Sequence, residues 1–193
     1  FEYTMGAVAA VTKATKKELQ GMTEQALQLG GETKFTIQEV ADAMKFLGMA
    51  GFDPATINET VIAVAALEAA TDLAISGIGG MSDVMTNIMT AFQLAPDQAM
   101  RVADVLVAIS TSANTSVAQM GEAYKYAADV FTTLNIPLEE SAAMLAMLGN
   151  AGLQASIAGT SLGNTWRKLG KAMTSFATKR QLKGMAFFGW TKA

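Results

Sequence analysis

The segment Thr36-Ile37-Gln38-Glu39-Val40-Ala41-Asp42-Ala43-Met44-Lys45-Phe46-Leu47 contains the pattern that decides the fold. Thr36 and Glu39 stand three residues apart, which is the spacing of a capping box at a helix N-terminus. Val40, Met44 and Leu47 follow at intervals of four and three residues, and this spacing places them on one face of a helix. The segment therefore predicts an amphipathic helix that buries one apolar stripe.

Apolar residues recur at the same helical spacing along nearly the whole chain. Ile57, Val61 and Val64 repeat the pattern, and Ser116 with Gln119 offers a second capping box. No segment alternates polar and apolar residues with the period of two that is typical of a strand. The sequence therefore predicts an all-α fold with no sheet.

We predict about eight amphipathic helices arranged as consecutive helical hairpins. Ser82 is the expected N-cap of the fourth helix, because serine accepts a hydrogen bond from a free backbone N–H. The predicted helices cover approximately residues 5–29, 36–50, 54–74, 82–93, 96–111, 116–134, 137–150 and 157–177.

The three prolines of the chain recur at nearly equal intervals. Pro54, Pro96 and Pro137 are 42 and 41 residues apart, and each is expected in the first turn of a helix, where the missing N–H costs nothing. A stack of repeated helix pairs would give this period. Unrelated hairpins with helices of ordinary length would give it too, and the thin side-chain consensus between the repeats favours this second interpretation.

The composition excludes most familiar catalytic chemistry. The 193 residues include no cysteine and no histidine, so thiolate nucleophiles, disulfides, His-activated nucleophiles and imidazole metal ligands are excluded. The paired acids Glu139 and Glu140 lie at the start of a predicted helix, where the helix dipole explains them. We therefore predict no catalytic residue, no cofactor and no metal site, and a cell-wall hydrolase is the weakest hypothesis.

The charge is unevenly distributed along the chain. All 17 acidic side chains lie in residues 1–140, whereas residues 141–193 contain seven basic side chains and no acidic one. Aromatic residues interleave with the basic ones, as in some membrane and nucleic-acid surfaces. A solvated helix face followed by a linker explains the pattern more simply, so we predict no sequence-specific nucleic-acid binding. We divide the chain into a helical region, 1–177, and a basic, aromatic linker, 178–193, into a following segment.

Two patterns in the last predicted helix concern association between helices. Gly159 and Gly163 form a small-x-x-x-small pattern, which lets helix backbones approach closely. A series of apolar residues spaced by 4, 3, 4 and 3 has the form of a heptad seam, which pairs with a second chain or faces the chain's own core. This candidate interaction seam comprises Leu162, Trp166, Leu169, Met173 and Phe176.

A series of short motifs runs in order along about residues 1–175. The series includes residues 30–44, a Leu-x-x-Ala-Gly-Phe element at 47–52, Ala-Phe-Gln-Leu at 91–94, and the segments 120–127 and 154–160. The residues that define two of these elements are Ala50, Gly51, Phe52, Ala158, Gly159 and Thr160. Together the motifs resemble the conserved helical region of phage tail tape-measure proteins, which are also called phage-related minor tail proteins.

The resemblance implies a structural protein and not an enzyme. Members of this family fill the lumen of a phage tail, set its length, and leave the tail when DNA is delivered. The implied partners are tail-tube and baseplate-hub proteins, tail assembly chaperones and further copies of the chain. The implied locations are the tail lumen of the virion and the host cytoplasm during assembly. The alternative is a membrane-active helical module in contact with the host membrane, which rests on the basic, aromatic residues 166–193 and the alanine-rich residues 54–74.

Overall fold

The computed structural model describes residues 1–71 and 80–179. Within these residues the chain forms nine α-helices and no strand, which confirms the predicted all-α fold. A single 3₁₀ turn, Pro96–Gln98, leads into the sixth helix. The helices are α1 (Glu2–Thr12), α2 (Lys16–Glu32), α3 (Ile37–Met49), α4 (Pro54–Ala69), α5 (Met81–Ala91), α6 (Ala99–Ser112), α7 (Val117–Thr133), α8 (Leu138–Asn150) and α9 (Ala155–Lys179).

Both predicted capping boxes are present. At α3 the Thr36 hydroxyl accepts the Glu39 N–H at 3.2 Å, and the Glu39 carboxylate accepts the Thr36 N–H at 2.7 Å. Ser116 and Gln119 form the same reciprocal pair at the start of α7. Each box satisfies two backbone N–H groups that a helix start would otherwise leave without a partner.

The prediction of a single helix over residues 5–29 is wrong, because the helix is interrupted between Thr12 and Lys16. Lys13 has a φ of 55°, in the left-handed region, and ends α1. Thr15 then opens α2 through a third capping box, with Glu18. The spacing of the apolar residues does not reveal this interruption, whereas the Thr-x-x-Glu pattern at 15–18 would have indicated it.

The predicted boundaries of two further helices need correction. Ser82 is buried inside α5, whose N-cap is Gly80, so the predicted serine cap is wrong. The predicted helix over 54–74 corresponds to α4, which ends at Ala69. Residues 72–79 lie outside the described residues, as do residues 180–193 of the predicted linker.

Four helices end in the same turn. After each of them one residue has a positive φ. The N–H of this residue donates to the carbonyl three positions earlier, and the N–H of the following residue donates to the carbonyl five positions before itself. This pair of hydrogen bonds is the Schellman motif, which satisfies carbonyl groups at a helix end. The residues with positive φ are Gly51 after α3, Gln93 after α5, Asn135 after α7 and Gly152 after α8.

The regular spacing of these turns reveals a structural repeat. Gly51, Gln93 and Asn135 are 42 residues apart, and each is followed within three residues by a proline that opens or caps the next helix. The favoured interpretation of unrelated hairpins is therefore corrected. The repeat resides in the backbone geometry of the turns, which explains why the side-chain consensus is thin.

The hairpins stack in two layers. The odd-numbered helices contact one another in chain order, α1 to α3 to α5 to α7 to α9, and the even-numbered helices do the same from α2 to α8. Among the described helices, α7 and α9 share the most extensive contact. In the described part of the chain, every extensive contact joins helices at most two positions apart, so the fold is an open, linear stack.

The core lies between the two layers. Its largest fully buried side chains include Tyr124 and Phe131 of α7, whose rings meet edge to face at 6.2 Å, and five methionines. The Tyr124 hydroxyl lies 3.0 Å from the Ser141 hydroxyl of α8, so this buried polar group has a partner. Helix α4 is buried over most of its surface and is exposed along one stripe that includes Glu59 and Ile62. The buried methionines are Met22, Met44, Met81, Met85 and Met120.

Candidate interaction surfaces

The glycine pair of α9 is used inside the chain. A Cβ at Gly159 would overlap the backbone carbonyl of Ala123 in α7, and a Cβ at Gly163 would lie 3.0 Å from the Tyr126 carbonyl oxygen. The absence of side chains therefore lets the α9 backbone lie directly against α7. The small-x-x-x-small pattern thus serves a contact between two helices of one chain.

The two motif positions that flank Gly159 differ in exposure. Ala158 is buried against the core, whereas Thr160 is exposed. The Ala-Gly-Thr element therefore presents two small residues to the interior of the chain and one hydroxyl to its surface. Its first two residues are explained by packing alone.

The Ala-Gly-Phe element forms the turn between α3 and α4. Ala50 is the C-cap of α3, and Gly51 has a φ of 92°, which glycine adopts without strain. The Phe52 N–H donates to the Leu47 carbonyl at 3.2 Å, and its half-buried side chain packs against the core. These residues are thus explained as a Schellman turn with its apolar contact.

The candidate interaction seam is divided between interior and surface. Leu162 and Trp166 are half-buried and pack against the chain's own core. Leu169 is 44% exposed and Met173 is half-buried. Phe176 lies within α9, but its side chain is outside the described residues. Pairing of this seam with a second chain stays a prediction, and its first two residues already have partners within the chain.

Ion pairs join neighbouring helices of each layer. In the odd layer, Arg167 Nη2 of α9 lies 3.0 Å from Asp129 Oδ2 of α7, and Lys125 Nζ of α7 lies 3.3 Å from Asp83 Oδ2 of α5. The basic partners, Lys125 and Arg167, are 42 residues apart, whereas the acidic partners, Asp83 and Asp129, are 46 residues apart. The Arg167 pair is exposed at both partners and therefore stabilises the fold little.

The ion pair in the even layer has bidentate geometry. Arg101 of α6 reaches Glu139 of α8 through Nε to Oε1 at 2.6 Å and Nη2 to Oε2 at 2.7 Å. The hydrogen bonds from Arg101 lower the pKa of the Glu139 carboxyl below its usual value, and the same bonds raise the pKa of Arg101. Glu139 is therefore a partner of Arg101, as well as an acid in the first turn of α8.

One carboxylate is less well satisfied than the others. Glu68, near the end of α4, has Oε1 at 3.8 Å from Lys34 Nζ, and its Oε2 is buried without a hydrogen bond among the described residues. Desolvation raises the pKa of the Glu68 carboxyl above its usual value, although Lys34 acts in the opposite direction. Sequence reasoning missed this site, because a single glutamate in an apolar helix carries no motif.

A shallow groove between α5 and α7 has a volume of about 530 Å³. Its charged residues already have partners, because Lys125 binds Asp83 and Asp129 binds Arg167. In the part of the chain that the structure describes, no group of three or more acidic side chains could hold a metal ion. The groove is lined by Asn87, Ala91, Tyr124, Lys125, Ala128, Asp129, Thr132 and Thr133.

Large apolar side chains are exposed at both ends of the stack. Tyr3 of α1 is 91% exposed, and Met147 of α8 and Ile157 of α9 are 72% and 60% exposed. Sequence reasoning did not single out these residues. The available signal was the absence of any charged residue in 3–12 and in 141–166, because a helix with a single buried face normally carries charges on its other face.

Among the described residues, no helix combines the length and the apolar character that a membrane span requires. Much of the basic, aromatic stretch behind the membrane-active interpretation, residues 180–193, lies outside the described residues.

Comparison with known proteins gives two relatives and a family. The chain is 34% identical to the tape measure protein of Pneumococcus phage Dp-1 over 191 residues, which cover 97% of this chain and 16% of that protein. It is 29% identical to the probable tape measure protein of Escherichia phage P2 over 157 residues, which cover 80% of this chain and 18% of that protein. The chain thus spans less than a fifth of the length of each relative. No solved structure matches it. The family described as phage-related minor tail protein matches residues 23–190, and the chain therefore belongs to that family.

Proposed function

We propose that this chain is a structural segment of a phage tail tape-measure protein and that it acts through helix–helix contacts, without catalysis. The observation that carries the proposal is the 34% identity to a tape measure protein along 97% of the chain. The described residues support it, because the glycine pair and the ion pairs join helices within the chain, and large apolar side chains stay exposed at the ends of the stack, where further helices could pack.

The proposed location is the tail lumen of the virion, reached from the host cytoplasm during assembly. The proposed partners are tail-tube and baseplate-hub proteins, tail assembly chaperones and further copies of the chain. Membership of the minor tail protein family supports a place among tail components. The exposed Leu169 on α9 supports self-association, because an apolar side chain on a helix surface gains free energy when a second helix covers it.

Tail length after removal of one structural repeat tests the proposal. Deleting residues 95–136 from the full-length phage protein joins Leu94 to Pro137 and preserves the junction of a Schellman turn with a proline-led helix. Tail length is measured by electron microscopy. The Gly21→Ala variant is the matched control, because a Cβ there meets nothing within 4 Å.

A ruler predicts tails that are shorter by one discrete increment. The increment is about 60 Å if the segment forms one continuous helix in the tail, at about 1.5 Å per residue. It is about 10 Å if the stack persists, because one hairpin adds about one interhelical distance of 8–10 Å. Intact tails of unchanged length would overturn the proposed role of this segment in length determination.

Direct binding tests the proposed partners. The purified chain is mixed with purified tail-tube protein or baseplate-hub protein, and the particle mass is measured by sedimentation. The proposal predicts a complex with at least one of them or self-association of the chain. A strictly monomeric chain that binds neither protein would contradict an assembly role for this segment.

A further inference from the structure

The described helices make no extensive contact that closes the stack into a ring. Helix α1 packs against α2 and α3, and helix α9 packs against α7 and α8. In the described residues no extensive contact links the α1 end to the α9 end. In repeat structures of this kind, stability is a sum of terms for each unit and for each pair of neighbours.

The Schellman turns and capping boxes are made within single turns, whereas one further set of bonds joins neighbouring loops: Asn114 N–H donates to Asn150 Oδ1 at 2.7 Å, and Gln154 Nε2 donates to the Asn114 carbonyl. Each Schellman turn is made by two backbone hydrogen bonds between residues at most five positions apart, such as Leu94 N–H to the Met89 carbonyl at 2.9 Å. Each capping box is made by two residues three positions apart. A hairpin therefore keeps its Schellman and capping-box bonds when an adjacent hairpin moves away, whereas the bonds between the α6/α7 and α8/α9 loops break with that junction.

The links between hairpins are local as well. Gly48 of α3 accommodates α1, because a Cβ there would lie 2.8 Å from Thr12 Cγ2 and 2.9 Å from Val11 Cγ2. Gly159 of α9 accommodates α7 at the other end. The ion pair between Arg167 and Asp129 joins only α9 and α7. Each of these contacts thus affects one junction of the stack.

We propose that the stack opens from its ends, one hairpin at a time, and that its α1–α3 and α7–α9 ends unfold independently of each other. The proposal rests on the topology and not on the proposed function. A chain that opens in units of about 42 residues, the distance between its Schellman turns, can lengthen along its axis while the remaining hairpins stay folded.

Hydrogen exchange in two variants, one at each end, tests the proposal. Gly159→Val forces a side chain into the α7 backbone, and Gly48→Val forces one into the side chains of α1. In Gly159→Val we expect amide protection in α7 and α9 to fall about tenfold or more, with less than about a twofold change in α1 to α3. Gly48→Val should give the reverse pattern. An equal loss of protection in all helices in either variant would overturn the proposal.

Two further measurements keep the test decisive. If Gly159→Val unfolds the whole chain, including α1 to α3, the proposal is contradicted, because it requires the distant end to remain folded. Arg167→Gln is the mild variant: it removes only the ion pair with Asp129 and should lower protection in α9 alone. Gly21→Ala, in a helix where a Cβ meets nothing within 4 Å, is the control and should leave protection unchanged.

Discussion

The two ends of the odd layer use glycine in different ways. At the α1/α3 contact, the space beside Gly48 is bounded by the methyl groups of Thr12 and Val11. At the α7/α9 contact, Gly159 and Gly163 face the backbone carbonyls of Ala123 and Tyr126. The methyl groups belong to β-branched side chains in the last turn of α1, which can shift with the helix end, whereas Ala123 and Tyr126 lie in the interior of α7, whose backbone is held by its own hydrogen bonds. The same residue type therefore gives an adaptable contact at one end and a rigid one at the other.

The polar contacts at the two ends also differ, because one is neutral and the other is charged. The α1/α3 contact includes a neutral hydrogen bond, in which Gln38 Nε2 donates to Thr4 Oγ1 at 2.8 Å. The α7/α9 contact includes the charged pair of Arg167 and Asp129, which is exposed to solvent. Exposed ion pairs are screened by salt and neutral hydrogen bonds are not. The C-terminal end should therefore respond to salt more than the N-terminal end.

The largest effect is expected for Gly159→Val. The new side chain meets the Ala123 carbonyl, so α9 must move off α7, and we expect the free energy of unfolding of that end to fall by about 3 kcal/mol. Urea unfolding measures the change when it is followed by the fluorescence of Trp166, which lies in α9, in a chain whose second tryptophan is removed by Trp190→Phe. A loss below about 1 kcal/mol would show that the α7 backbone yields, and the contrast between the ends would disappear.

A smaller effect is expected for Gly48→Val. A shift of the last turn of α1, which carries Val11 and Thr12, relieves part of the overlap, so the expected loss is about 1.5 kcal/mol. Urea unfolding of α1 to α3, followed by hydrogen exchange, measures it. If the free energy of unfolding falls as much in this variant as in Gly159→Val, the glycine contacts at the two ends do not differ in rigidity.

Removal of the two capping boxes sharpens the comparison through pH. Thr36→Ala and Ser116→Ala should each cost about 1 kcal/mol at neutral pH, because each leaves an N-terminal N–H without its acceptor. Hydrogen bonds from Thr36 lower the pKa of the Glu39 carboxyl, and the bond from the Thr36 backbone N–H contributes more than the bond from its hydroxyl. The box at α7 contains Gln119, which does not titrate.

The sign of the pH effect follows from the lowered pKa. A carboxyl whose pKa is lowered in the folded state adds stability above its unfolded value of about 4.3, and this stability is lost as pH falls through the folded pKa. The effect of Thr36→Ala should therefore shrink when melting is measured at pH values falling from 5 to below 3, whereas the effect of Ser116→Ala stays constant. Parallel pH profiles for the two variants would contradict this assignment.

The smallest effect is expected for Arg167→Gln. The ion pair with Asp129 is exposed at both partners, so its loss should cost at most about 0.5 kcal/mol. Thermal unfolding at low salt and at about 1 M sodium chloride measures it, and the difference from the parent chain should vanish at high salt. A salt-independent loss would mean that Arg167 acts through packing of its alkyl stem.

Much of the fold can be predicted from the sequence, because local signals dominate it. Thr36, Ser116 and the prolines indicate helix starts through hydrogen bonds and backbone geometry that involve only near neighbours. The break at Lys13 was missed, since an apolar stripe continues through a short interruption. The sequence pattern did not establish the repeat, because Gln93 and Asn135 occupy the left-handed position that glycine, Gly51, occupies in the first turn.

The contacts between helices could be predicted only in part. The Gly159 and Gly163 pattern indicates that another helix approaches closely, but it cannot say that this helix is α7 of the same chain. The heptad spacing from Leu162 likewise leaves the partner open, and the structure directs Leu162 and Trp166 into the chain's own core. Helical periodicity reports which face is buried, whereas the identity of the covering surface depends on tertiary packing.

Cross-linking of cysteine pairs tests the two-layer order most directly. The chain has no native cysteine, so introduced pairs react without background. Asp129→Cys with Arg167→Cys joins α7 to α9, Arg101→Cys with Glu139→Cys joins α6 to α8, and Lys13→Cys with Arg167→Cys is the mismatched control. With a short bifunctional thiol reagent, we predict cross-links within one chain for both matched pairs and none for the control. Equal cross-linking of the control, or matched pairs that link only between chains, would contradict an open stack of hairpins.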